Sequence, residues 1–168
     1  MVPNAGPILV ADDNPDDVAL LRLAFQKAGF SNRVEVVNDG DEAIQYLKGE
    51  GAYADRVKFP WPLLLFLDLK MPRVSGLEVL AWLRGQSQLA SLQVIVLSHS
   101  SHDLDVREAY RLGAKSFLVK PSGLHEFVEQ MKAVGEFWLA RSKSLSPGAR
   151  SVQAPPGTIP PPGTAEQS

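Results

Sequence analysis

The chain has 168 residues, 45% of them apolar and 21% charged, enough for one soluble domain with a real core. A net charge of −2 excludes a general electrostatic grip on nucleic acid, and the absence of cysteine excludes disulfides, thiolate metal sites and cysteine nucleophiles. No apolar run reaches membrane-spanning length and no basic-then-apolar leader opens the chain, so the sequence predicts a cytoplasmic protein without a membrane or nucleic-acid partner.

Short apolar runs alternate with amphipathic stretches. Ile8 to Ala11 reads as a first strand. Asn14-Pro15-Asp16-Asp17 starts a helix: Asn14 caps, Pro15 fits the first turn, and the acids suit the positive end of the dipole. Val18, Leu21, Phe25 and Ala28 share a face of that helix, which Gly29 stops. Val34 to Val37 is a second strand, and 41–48 a second helix with Ala43, Ile44 and Leu47 inward. A long connection, 49–62, carries Tyr53, Phe59 and Trp61, expected to pack on the domain edge.

Leu63 to Leu67 reads as a strand buried on both faces, ended by Asp68 and turned by Met71-Pro72. Gly76 to Arg84 is a third helix, Leu92 to Leu97 a fourth strand followed by Ser98, and 105–112 a fourth helix ended by Gly113. Phe117-Leu118-Val119 is a fifth strand, followed by Lys120-Pro121 and a long last helix built on Leu124, Phe127, Val128, Met131, Val134 and Trp138. Adjacent Phe137 and Trp138 cannot both face one core, which offers one of them to a partner or second subunit. Composition breaks near Ser142, so a folded unit is expected over 1–141 and a solvated, disordered Pro/Gly/Ser-rich tail over 142–168.

Strict strand–helix alternation implies an α/β fold with a parallel sheet, helices on both faces and right-handed crossovers. Five strands suit a doubly wound, flavodoxin-like (βα)5 arrangement in the order 2-1-3-4-5, with strands one and three adjacent at the switch point. The carboxyl ends of parallel strands share a rim, so Asp12, Asp13, Asp68, Ser98 and Lys120 are expected to converge there. Taken alone, Asp68 reads as an ordinary loop start, Ser98 as a loop serine and Lys120 as a surface lysine; the joint arrangement carries the argument. Carboxylates ~4 Å apart repel by roughly 4 kcal/mol per pair at an effective dielectric near 20. A divalent cation relieves this, and all-oxygen ligands favour Mg²⁺, or Mn²⁺, over zinc. Metal, lysine and hydroxyl around a free acid make a cradle for a transferring phosphoryl group.

With these residues in view, the chain resembles the receiver domain of two-component response regulators. The resemblance is carried by Asp12-Asp13, Asp68-Leu69-Lys70-Met71-Pro72 with Gly76, Ser98, and Phe117-Leu118-Val119-Lys120-Pro121, and it covers about residues 7–140. It implies a phosphoacceptor protein rather than a turnover enzyme, with Asp68 taking a phosphoryl group from a sensor histidine kinase. Asp12, Asp13, Asp68 and the Lys70 carbonyl would hold Mg²⁺, and Lys120 would pair with a phosphoryl oxygen. Ser98 and Phe117 would be switch residues, and the Lys120–Pro121 bond would be cis. The long 49–62 connection and the 136–139 aromatics resemble stand-alone receivers that work with phytochrome-type kinases. Output would pass to a downstream protein, or to a second copy, through the face of the fourth helix, fifth strand and last helix.

Three rival readings stand beside this one. A phosphatase with an Asp nucleophile needs that residue after the first strand and an acid two residues later, where this chain has Lys70. A flavin carrier needs a phosphate loop where this chain has Asp12-Asp13. A phosphorylation-independent binding module would not need the full acceptor set.

Overall fold

The computed structural model describes residues 6–139 and 154–163. Five parallel strands, β1 (Ile8–Ala11), β2 (Val34–Val37), β3 (Leu64–Leu67), β4 (Gln93–Ser98) and β5 (Ser116–Val119), lie in the order 2-1-3-4-5. The flavodoxin-like order expected from the sequence is therefore present. A sixth strand, β6 (Thr158–Ile159), joins antiparallel at the edge of β5. Pro155 and Thr158–Ile159 thus depart from the expected solvated tail, because this backbone meets an unpaired strand edge, whereas Ala154, Pro156, Gly157 and 160–163 are exposed. The rest of the predicted tail, 140–153 and 164–168, lies outside the described residues.

Alternating residues of each central strand serve two cores, which is why the strands read as continuous apolar runs. Leu9, Leu65, Leu67, Val94, Val96 and Phe117 face one core. Ile8, Val10, Phe66, Ile95, Leu97 and Leu118 face the other. Helices α1 (Pro15–Lys27) and α5 (Leu124–Val134) pack together over the second core. Helices α2 (Gly40–Lys48), α3 (Gly76–Arg84) and α4 (Asp103–Arg111) cover the first. Burying such side chains contributes roughly 1.5–3 kcal/mol each before entropy is counted.

Local chemistry sets the helix starts. The Asn14 side chain accepts from the N–H groups of Asp16 and Asp17, with Pro15 in the first turn. Ser75 and Glu78 form a reciprocal capping box on α3. Helix α2 starts at Gly40 because Asp39 caps it, and α4 starts at Asp103, two residues before the sequence expectation.

The 49–62 connection does pack on the domain edge. Tyr46, Tyr53 and Phe59 pack together, tilted or edge to face, with centroids 4.9–6.0 Å apart. The Arg56 guanidinium clamps the loop by donating to the carbonyls of Leu47 (2.7 Å) and Phe59 (3.1 Å), while Trp61 stays exposed. Phe137 and Trp138 are both half-buried, edge to face at 4.8 Å, in a π-helical turn (Gly135–Leu139) that continues α5. Their adjacency therefore leaves neither ring fully exposed. Among the described residues, no helix is long and apolar enough to cross a membrane.

Candidate functional site

Strand register builds the site. Ala11 pairs with Leu67, and the Asp68 N–H donates to the Ala11 carbonyl (3.0 Å), so Asp12 and Asp68 leave neighbouring strands at one level. Ser98 pairs with Val119, and the Lys120 N–H donates to the Ser98 carbonyl (2.8 Å), which sets the lysine beside the serine. Gly76 lies against the Asp68 backbone; a Cβ there would come within 2.4 Å of the Asp68 carbonyl oxygen. Only glycine lets the start of α3 approach the acceptor loop this closely.

One ammonium holds three acids. Lys120 Nζ donates to Asp12 Oδ2 (2.7 Å), Asp17 Oδ2 (2.9 Å) and Asp68 Oδ2 (3.3 Å). The lysine side chain is 1% exposed, so these are buried ion pairs with little solvent screening. Asp12 Oδ1 accepts from the Asn14 N–H (2.9 Å), and Asp68 Oδ1 from the Lys70 N–H (3.2 Å). Burial pushes the Asp68 carboxyl above the usual range, and nearby Asp12 adds to the rise against the pull of Lys120. Burial would lower the Lys120 pKa, but its bonds to Asp12 and Asp17 and the charge of Asp68 outweigh it and raise the amine above its ordinary value.

Asp12, Asp13 and Asp68 each present a carboxylate oxygen, all within 4.8 Å of one another, and Asp13 is the exposed member. This oxygen-only set fits a hard divalent cation. Beside it opens a cleft of about 230 Å³, lined among others by Asp13, Asp68, Lys70, Ser98 and His99. Ser98 is buried at 3% exposure, and its hydroxyl accepts from the Ser100 N–H (3.3 Å). The side chain of Lys70 is exposed at the mouth of the cleft. Every acid, amine and hydroxyl expected at the rim is therefore brought together.

Phe117 lies elsewhere. It is fully buried on β5, and its N–H donates to the Tyr110 hydroxyl of α4 (3.1 Å). The peptide bonds are trans throughout the described residues, Lys120–Pro121 included, which departs from the expected cis bond. Trans is the lower-energy isomer by about 0.5–1 kcal/mol for X–Pro.

Sequence reasoning missed Asp17 as a partner of Lys120. It read Asp17 only as a dipole acid, although Asp17 lies in the first turn of α1, which follows the rim residues Asp12 and Asp13. His99 Nε2 lies 2.8 Å from the same Asp17 oxygen. Burial raises the Asp17 carboxyl, but Lys120 and His99 together hold it below the usual carboxylate range.

Known proteins resemble this chain in sequence and fold. A curated relative, the probable methanogenesis regulatory protein FilR2 of Methanothrix harundinacea, is 33% identical over 141 residues, 83% of this chain and 88% of that protein. The crystal structure of the phosphorylated cyanobacterial phytochrome response regulator RcpA superposes with a TM-score of 0.75 at 33% identity, over 84% of this chain and 99% of that one. The Mn²⁺-bound response regulator Rcp1, known from Synechocystis sp., superposes with a TM-score of 0.72 at 27% identity and the same coverage. Residues 8–132 match the response regulator receiver domain model, and the chain belongs to that family.

Proposed function

We propose that this receiver accepts a phosphoryl group on Asp68 from the phosphohistidine of a sensor kinase, and signals by protein contact rather than by turning over a substrate. The observation that carries the reading is the buried Lys120 ammonium beside Asp68, with the Asp12–Asp13–Asp68 oxygen cluster on the same rim. The similarity to the cyanobacterial phytochrome response regulator RcpA supports a phytochrome-type kinase as donor, and the reading puts the exchange in the cytoplasm.

An Asp68 carboxylate oxygen attacks phosphorus, and the P–N bond of the donor breaks. The electron pair leaves with the imidazole, which takes a proton from solvent. Asp12, Asp13, Asp68 and the Lys70 carbonyl would hold Mg²⁺, or Mn²⁺ as in Rcp1. A bound cation would neutralise charge that three acids and an incoming phosphoryl group place together. Lys120 turns from its carboxylates to a phosphoryl oxygen, and the Ser98 hydroxyl donates to another. Phe117 follows the β4–β5 adjustment, and the change passes to the α4–β5–α5 face, where a downstream protein or second copy docks.

Acetyl phosphate with Mg²⁺, read by intact-mass spectrometry, tests the reading. A single phosphoryl adduct is expected in the wild type and none in Asp68→Asn or without Mg²⁺. An adduct that survives Asp68→Asn would remove the proposal.

A further inference from the structure

The edge of β5 is occupied. Thr158–Ile159 runs antiparallel along it, with Ile159 opposite Phe117 and Thr158 opposite Leu118. The Val119 N–H donates to the Gly157 carbonyl (3.1 Å). Each element of the face adds a polar anchor. Gln130 on α5 is 2% exposed and donates both to the Val119 carbonyl (3.1 Å) and to the Pro156 carbonyl (2.9 Å). The Tyr110 hydroxyl on α4 donates to the Ile159 carbonyl while accepting from the Phe117 N–H. Ile159 packs on the core that contains Phe117, and Pro155 is buried.

The segment suits its place. Gly157 turns with φ +78, and a Cβ there would approach Gln130 Nε2 to 2.9 Å. Pro160, Pro161 and Pro162 follow and offer no N–H to a further strand, so the added strand ends the sheet instead of extending its template. The 14 residues 140–153 that join Leu139 to Ala154 have a reach of up to roughly 45 Å at ~3.3 Å per residue. A segment on the same chain binds as an intramolecular ligand, so a weak strand ligand suffices.

We propose that the α4–β5–α5 face is a docking site for an extended proline-flanked segment, and that the chain fills it in cis with its own residues 155–160. While filled, the face is closed to a second copy or to a partner protein. Strand addition supplies the affinity through backbone hydrogen bonds, and the Ile159 side chain with the Gly157 turn supplies the selectivity. The proposal stands on these contacts and needs no phosphoryl transfer.

Amide hydrogen exchange of the full chain, followed by NMR with no phosphoryl donor present, tests it. Val119 is expected to exchange at least tenfold faster in Ile159→Asp and in Gly157→Val than in the wild type, with Val10 and Leu65 unchanged. Both sites lie in the tail, outside residues 8–132, and unchanged exchange at Val10 and Leu65 reports that the domain behind them is folded. An unaltered Val119 rate in both would overturn the docking. Protection that is the same at micromolar and millimolar protein supports the cis seat; protection lost on dilution overturns it in favour of exchange between copies. A synthetic peptide of residues 155–160 at millimolar concentration is expected to restore Val119 protection to Ile159→Asp. If the peptide does no better than its scrambled version, the site is not a peptide site. Because no phosphorylation is involved, failure here leaves the Asp68 reading intact, and failure of Asp68 labelling leaves this result intact.

Discussion

Gly76 backs directly onto Asp68: a methyl group on Gly76 would lie 2.4 Å from the Asp68 carbonyl oxygen and 2.7 Å from Leu69 Cα. The obstacle is backbone, which cannot rotate away. Gly76→Ala is therefore expected to cost about 1–3 kcal/mol of stability, as overpacking does, and to slow Asp68 labelling by acetyl phosphate. Urea denaturation and the mass-spectrometric labelling rate measure the two effects. Unchanged values for both would show that the loop is not braced at this point.

Asp68→Asn is expected to stabilise the metal-free protein. Burial and the Asp12 charge raise the folded-state pKa of Asp68. A raised acid contributes its stability fully below the unfolded pKa of about 3.9 and loses it as pH climbs through the folded value. At neutral pH the ionised carboxylate is thus a net cost, which asparagine removes. The gain is expected at pH 7 and is expected to vanish toward pH 3. Lys120 keeps Asp12 and Asp17 as partners in the variant. A denaturation series against pH that shows the variant weaker at pH 7 would refute this.

Millimolar Mg²⁺ is expected to raise the thermal midpoint of the wild type. Binding at one hundred times the dissociation constant stabilises by about 2.7 kcal/mol. Asp13 is exposed and belongs to the oxygen cluster, so Asp13→Asn should leave metal-free stability within ~0.5 kcal/mol and abolish most of the Mg²⁺ response. Scanning calorimetry with and without Mg²⁺ decides; an equal response in both proteins would place the metal elsewhere.

Asp17 acts in the opposite pH window from Asp68. Its folded pKa is lowered, so its stabilising effect is present above about 3.9 and is lost as pH falls through the folded value. The wild type should therefore lose stability more steeply than Asp17→Asn below pH 4. Parallel acid titrations of the two proteins, followed by circular dichroism, would contradict the ion-pair role.

Much of this was readable from residue pattern. Continuous apolar runs such as Leu64–Leu67 announce strands buried on both faces, and parallel strands fix a common rim. That is why Asp12, Asp68, Ser98 and Lys120 could be grouped before any coordinates. Pattern does not fix which acid a lysine reaches, so Asp17 stayed hidden behind its helix-start role. Pattern also sees composition rather than opportunity: Thr158–Ile159 is too short and too proline-bound to read as a strand, and it becomes one only because β5 has a free edge. The 2-1-3-4-5 order was legible because five alternating units suit the known flavodoxin-like arrangement and crossover handedness limits the alternatives, while the antiparallel addition follows no such rule.

The Tyr110 phenol joins helix, sheet and tail through a single hydroxyl, and the proton it gives to Ile159 holds the tail. Burial raises its pKa, so the neutral form is the one the folded chain prefers. Stability from that preference holds below the unfolded value near 10 and fades as alkali strips the proton. The resulting phenolate would face the Ile159 carbonyl oxygen with like polarity where a donor used to be. The β5–β6 seam therefore carries a built-in alkaline limit, and it should unzip while the parallel layers behind it are still whole.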